Sequence, residues 1–351
     1  MLEFLANYGL FLAKSLTLIV LIIGGLLMLI VAGKGGKERK EGHLEVRHMN
    51  EWLDEMKDSL KHEIWDKQLL KKELKEKKKE EKRKAKESKK ADPEETVEKG
   101  RIYVLDFDGD IKASGVEHLR EEITAILTLV NPEKDEVMLR LESPGGMVHG
   151  YGLAASQLER IRSAGVRLTV CVDKVAASGG YMMACIADRI IAAPFAVMGS
   201  IGVVAQVPNI HRLLKKNDVD VEILTAGEYK RTLTMLGENT DKAREKFKHD
   251  LEETHTLFKD MVSSYRTEMD IAKVATGEVW YGKQAIDIGM VDELMTSDQW
   301  IMQACERADV YWMHYAARKG LQERIGNIFG AISTQTLDKV DQWLNSSRFH
   351  R

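Results

Sequence analysis

Cysteine is scarce in this chain of 351 residues: Cys171, Cys185 and Cys305 are the three, and no C-x-x-C pair exists. That excludes a zinc ribbon or a thioredoxin-type motif and offers no disulfide framework. Five prolines exclude a proline-rich linker protein, and no internal repeat points to a solenoid. Charge of one sign is missing too. The 52 basic and 55 acidic side chains leave a net of −3, which gives no sign of a nucleic-acid partner. With 30% charged and 44% hydrophobic residues, the chain is neither collagen-like nor wholly disordered. The length allows one to three domains. We expect neither a metal nor a cofactor.

What is present is segregated. Residues 15–32 carry no charge. With Gly9 to Ala13 added and Lys14 able to snorkel, 9–32 is long enough for a transmembrane anchor after a short segment 1–8. A cleaved signal peptide would need small residues at the cut, yet Ile30 would hold the −3 position for cleavage after Ala32. Lys34, Lys37, Arg39, Lys40 and Arg47 follow the span, and by charge alone the rest would stay cytoplasmic. That rule weakens when a large domain follows.

Residues 33–100 read as a charged helical extension. Met49, Leu53, Met56, Leu60, Ile64 and Leu74 recur near a 3.5-residue spacing, and 67–90 hold 13 Lys or Arg against 5 Glu, a net of +8. No aromatic residue interleaves with this run, so a solvated helix is favoured over a lipid or nucleic-acid contact. Asp92–Pro93 and Lys99–Gly100 mark a boundary.

From residue 101 the pattern changes. Ile102–Phe107, Val137–Leu141, Val166–Val172, Arg189–Ala192 and Val219–Leu224 read as strands. Val116–Leu129, Gly150–Arg162 and Ser178–Ala187 have helical length and spacing between them. The alternation predicts an α/β domain with largely parallel sheets over 101–300. In the tail, 301–351, the residues Leu321, Ile325, Ile328, Ile332, Val340 and Trp343 fit an amphipathic helix suited to packing or oligomer contact.

Two glycine turns could carry chemistry. Ser143-Pro144-Gly145-Gly146 follows one strand and precedes a helix, where close-approaching backbone N–H groups suit an oxyanion. It is equally an ordinary strand-to-helix turn. Ala176-Ala177-Ser178-Gly179-Gly180 follows another strand; Ser178 there is either an N-cap or an acyl-transfer nucleophile with the Gly179 N–H beside it. A nucleophile needs a base. His118, His149 and His211 are the histidines between 101 and 240, and none sits in a turn beside an orienting acid. Lys230, in Ala226-Gly227-Glu228-Tyr229-Lys230, is the other available base. A lysine base must be neutral, and its reference pKa near 10.4 calls for burial away from carboxylates. We therefore expect Glu228 to point away.

The segments LESPGGMVHGYGLAASQL, VDKVAASGGYMMACIADRIIAAPFAVMGSIGVV, TAGEYKRTLT and GEVWYGKQAIDIGMVDEL, in that order, resemble the S49 family of signal peptide peptidase A–type membrane serine proteases, most closely its SohB branch. They lie within residues 101–295. The resemblance implies the spiral β-β-α fold shared with Clp protease and the crotonases. It implies Ser178 as nucleophile, Lys230 as general base and Ser200 as the serine that orients the lysine. Gly179, with Gly145 or Gly146, would form the oxyanion hole. No histidine follows Ser178 in the window where Clp-type peptidases place theirs. Peptide substrates, among them signal-peptide remnants, are implied, as is a homo-oligomer whose neighbouring protomer lends the lysine. A single-pass protein of the bacterial inner membrane, with its catalytic domain on the periplasmic face, follows from the same resemblance. Two other readings are weighed against it. A crotonase-like acyl-CoA enzyme explains neither Ser178 nor Lys230, and a non-catalytic oligomeric scaffold would leave Ser178 unreactive.

Overall fold

The computed structural model describes residues 8–18, 42–88 and 99–316. The chain divides into two compact units, Leu44–Tyr315 being one and the two flanking segments the other. In the flanking unit, residues 8–18 are helical; the rest of the 9–32 span lies outside the described residues. Among the described residues no helix is long and apolar enough to cross a membrane.

The unit Leu44–Tyr315 is built on two sheets. Its strands are β1 (His43–His48), β2 (Arg101–Asp108), β3 (Glu136–Glu142), β4 (Arg167–Val172), β5 (Val175–Ala177), β6 (Arg189–Ala192), β7 (Val197–Gly199), β8 (Val279–Tyr281), β9 (Glu293–Leu294) and β10 (Asp309–Ala316). The larger sheet runs β1-β10-β2-β3-β4-β6-β9, and every pair from β10 to β9 is parallel. The smaller one, β5-β7-β8, pairs β5 with β7 in parallel and β7 with β8 antiparallel.

Both faces of the large sheet are covered, which is why its strands are nearly continuous apolar runs. Along β2, Tyr103, Leu105 and Phe107 enter one core with Leu139, Val170 and the helices Val116–Leu127 and Val148–Ser163. Ile102 and Val104 enter the other, with Met138, Cys171, Trp300 and Ile301. Alternate side chains of a strand point to opposite faces, so one strand serves both cores.

The α/β expectation with parallel strands holds, and four of the five expected strands form. The fifth, Val219–Leu224, does not: 219–225 has no regular structure and Leu224 is 89% exposed. A β-branched run becomes a strand only against a partner edge, and none pairs with it among the described residues.

The extension and the tail also differ from expectation. Residues 43–48 are a strand of the main sheet rather than helix, and the Asn50 amide bonds the carbonyls of Cys305 and Ala308 at 2.9 and 3.0 Å. The long helix is broken at Trp65–Asp66. The Asp66 carboxylate accepts the N–H groups of Gln68 and Leu69 and caps a second helix, Lys67–Ser88. Ion pairs Lys77–Asp58 and Lys61–Glu73 fold this helix back on Met49–Ile64. In the tail, 309–316 is β10, inserted between β1 and β2. The helical run from Leu321 onward lies outside the described residues.

Candidate active site

The chemistry-bearing turns sit at the carboxyl ends of parallel strands, where open α/β sheets place their sites. β5 ends at Ala177, Ser178 makes the corner, and the helix Gly179–Ala184 starts at once. Ser178 has φ 53° and ψ −119°, a region that favours glycine, so the corner holds about 1–3 kcal/mol of backbone strain. This is the strand–turn–helix geometry that presents a nucleophile. Ser178 is half-buried, and its side chain makes no capping hydrogen bond. Its own N–H donates to the Gly199 carbonyl at 2.7 Å.

The first glycine turn lies directly against this corner. Gly145 has φ +89°, and a Cβ there would stand 2.7 Å from the Ser178 Cβ, the Gly179 nitrogen and the Ala177 carbonyl oxygen. Only glycine admits that approach. The donors divide unevenly between the two glycines. The Gly145 N–H is engaged by the Ser143 hydroxyl at 3.1 Å. The Gly146 N–H has no backbone or side-chain acceptor among the described residues, and Gly179 is the first residue of its helix, where the N–H has no intrahelical acceptor. Gly146 and Gly179 are therefore the donors this corner leaves available.

Ser200 occupies the matching position on the neighbouring strand. β5 and β7 pair in parallel with Ala177 opposite Gly199, so Ser178 and Ser200 leave the small sheet side by side. Ser200 also has positive φ, 50°, and its N–H donates to the Glu278 carbonyl at 2.6 Å.

Lys230 is not brought to Ser178. It sits exposed in the turn 227–230, and no contact joins it to either serine among the described residues. Glu228 does turn aside: its carboxylate pairs with Lys242 at 2.7 Å, which holds its pKa below the usual carboxylate range. His149 is exposed on the helix Val148–Ser163, and His211 contacts the Leu236 carbonyl at 3.3 Å. Neither histidine touches Ser178. The thiols are set apart by burial, which pushes Cys185 up to about 12 and Cys171 higher still. Cysteines so buried are poor nucleophiles.

Two residues escape the sequence reading. Ser143 and Tyr151 are fully buried beneath the corner, their hydroxyls 2.6 Å apart. Ser143 lies inside the S-P-G-G turn read for its glycines, and Tyr151 lies on the buried face of the helix Val148–Ser163 among small and apolar residues. The spacing of eight residues across a turn and one helical turn was their available signal.

Comparison with known proteins shows the family. The family model "Peptidase family S49 N-terminal" matches residues 3–158, and "Peptidase family S49" matches 160–311. A "Probable protease SohB" from Haemophilus influenzae is 53% identical over 328 residues, 92% of each chain. One from Buchnera aphidicola subsp. Schlechtendalia chinensis is 48% identical over 310 residues, 86% of this chain and 99% of that one. "Protease 4" of Haemophilus influenzae is 28% identical over 170 residues, covering 48% of this chain and 28% of its own. The chain thus belongs to peptidase family S49, in its SohB branch.

Proposed function

We propose that the protein is a membrane-anchored serine endopeptidase whose nucleophile is Ser178 and whose general base is Lys230. The observation that carries this is the Ser178 corner itself. A strained serine heads a helix, with the Gly179 N–H next to it, Gly145 packed against its Cβ and the Gly146 N–H one residue further along the same turn.

Neutral Lys230 takes the proton from Ser178 Oγ as that oxygen attacks the substrate carbonyl carbon. The carbonyl oxygen becomes an oxyanion and is held by Gly179 and Gly146 N–H. The C–N bond then breaks, and protonated Lys230 returns its proton to the leaving amine. Water, deprotonated by the same lysine, releases the acyl group and regenerates Ser178. Ser200, level with Ser178, orients the lysine. The substrates are small or extended apolar peptides such as signal-peptide remnants, which fit a half-buried site. The fold is the spiral β-β-α type, anchored through residues 9–32 in the bacterial inner membrane with the catalytic unit on the periplasmic side. Because Lys230 stands exposed and apart from Ser178 within one chain, a neighbouring copy supplies it and encloses it.

Ser178→Ala and Lys230→Ala should each lower peptide hydrolysis in detergent by about 10³-fold or more. Mixing the two inactive variants should restore part of the activity through hybrid pairs. Full activity in either single variant would remove that residue from the dyad. A mixture that stays inactive while the two variants co-assemble would place the lysine in the same chain as its serine.

A further inference from the structure

Behind the Ser178 corner lies a buried chain of hydrogen bonds that the peptidase reaction described above does not use. The Gly145 N–H donates to Ser143 Oγ at 3.1 Å. Ser143 Oγ is 2.6 Å from the Tyr151 hydroxyl, which donates to the Asp110 carbonyl oxygen at 2.8 Å. The direction of this chain is fixed by its ends. A backbone N–H can only donate and a carbonyl can only accept, so the Ser143 hydroxyl must donate to Tyr151. Each member has one arrangement, and no group in the chain is free to rotate to another.

The same two residues also join the separate parts of the site. Ser143 N–H donates to the Val175 carbonyl at 2.8 Å, and its own carbonyl accepts from Ala177 N–H at 3.0 Å. The turn that holds Gly146 is thereby sewn to the strand that ends in Ser178. The ring of Tyr151 lies under Gly179, so close that a Cβ there would collide with it. Through Asp110, Tyr151 also holds the loop whose Ile111 carbonyl accepts Met147 N–H at 2.8 Å and packs against Gly146. The chain thus runs from Gly145, which abuts Ser178 and Gly179, through Ser143 and Tyr151 to the loop that packs on Gly146.

We propose that Ser143 and Tyr151 are positioning residues that aim the Gly146 N–H at the developing oxyanion. The inference rests on Ser178 being the nucleophile. With the Gly145 N–H pinned by Ser143, the Pro144–Gly145 peptide is fixed, and with Gly146 packed against the Ile111 carbonyl the Gly145–Gly146 peptide that carries the donor is held from both ends before substrate arrives. Released from that pin, a proline–glycine–glycine turn has other accessible conformations. Because the donors act on charge that develops during reaction, their misalignment lowers turnover rather than substrate affinity.

The test is steady-state cleavage of a fluorogenic peptide amide by the full chain in detergent, with thermal unfolding to establish that each variant is folded. Tyr151→Phe keeps the ring and should lower kcat about 5–10-fold; Ser143→Ala should lower it about 10–100-fold, less than complete loss of an oxyanion donor. KM should stay within about twofold in both. Because the hydroxyls act as one relay, the double variant should be no slower than Ser143→Ala, whereas independent effects would multiply. Wild-type kcat in the folded variants, a rise in KM equal to the loss in kcat, or a multiplicative double variant would each overturn the proposal. If Ser143→Ala fails to fold, Tyr151→Phe decides alone. Ser178→Ala is the control that separates the two readings. Full turnover by Ser178→Ala removes the nucleophile assignment, while an inactive Ser178→Ala beside unaffected positioning variants removes only the relay.

Discussion

The Ser178 corner and the segment 201–240 that carries Lys230 are built in opposite ways. The corner is closed: Gly145, Gly179, Gly180, Ser143 and Tyr151 are all buried, and Gly145, Ser143 and Tyr151 are tied by backbone or hydroxyl hydrogen bonds. The segment is open. It holds one short helix, His211–Lys216, and otherwise runs without regular structure. Val204 is 93% exposed, and Leu213, Leu224 and Met235 are exposed with it. Its internal order comes from a few bonds, such as the Asn209 amide to the carbonyls of Thr234 and Gly237. A chain that exposes large apolar side chains on one such segment carries a surface suited to a partner. In the proposed mechanism the acyl-transfer groups thus lie within one closed corner, and the proposed base lies on the open segment.

Breaking the closed half should have the largest effect. Gly145→Ala places a Cβ where Ser178 and Gly179 already are and forces φ +89° on alanine. We expect kcat to fall about 10²–10³-fold, the scale of a lost oxyanion donor, read from single-turnover kinetics. Near-normal turnover would mean that the corner is not the tightly fitted element described here. A smaller effect tests the open half. Leu224→Glu should weaken assembly by about tenfold, read by sedimentation, while the unfolding temperature of the catalytic unit stays the same. A clear fall in that temperature would show Leu224 packed within its own chain and dissolve the contrast.

The smallest effect lies outside both regions, on the buried face of the helix Val116–Leu127. Glu122 is fully buried, one carboxylate oxygen bonds the Tyr315 N–H at 2.8 Å and the other has no partner. Burial raises its pKa despite the nearby His314. A raised carboxyl favours the protonated folded state, so its contribution to stability is full below the ordinary glutamate range and is lost as pH rises through the raised value. Glu122→Gln should flatten that decline in a pH series of thermal unfolding, by a few degrees at most, and leave assembly unchanged.

The sequence showed the fold where residues pack on both faces of a sheet, because continuous apolar runs such as those of β2, β3 and β4 have few other uses. It misled at Val219–Leu224, whose composition suits a strand while its surroundings supply no edge. The short strands β5, β7 and β8 could not be told from turns, since three residues show no periodicity. β10 was legible in Asp309–Ala316, an aromatic and β-branched run, but it lay in a stretch read as helical tail. At the site, Ser178, Gly145, Gly146 and Gly179 were visible as turn chemistry. Ser143 and Tyr151 were not, because a hydroxyl gains its meaning from the atom it faces, and here a turn residue faces one on the following helix.

The order β1-β10-β2 sets a schedule for biosynthesis. Val310 N–H donates to the Asn50 side chain across a separation of 260 residues, and strand β10 stands between the two earliest strands of the sheet. While the chain is being made, β1 and the near edge of β2 therefore have no neighbour until residues 309–316 emerge. Pairing at such separation is slow and leaves unpaired edges exposed in the interval. The sheet closes only after nearly all of the unit Leu44–Tyr315 has been synthesised, so the Ser178 corner rests on a scaffold completed late.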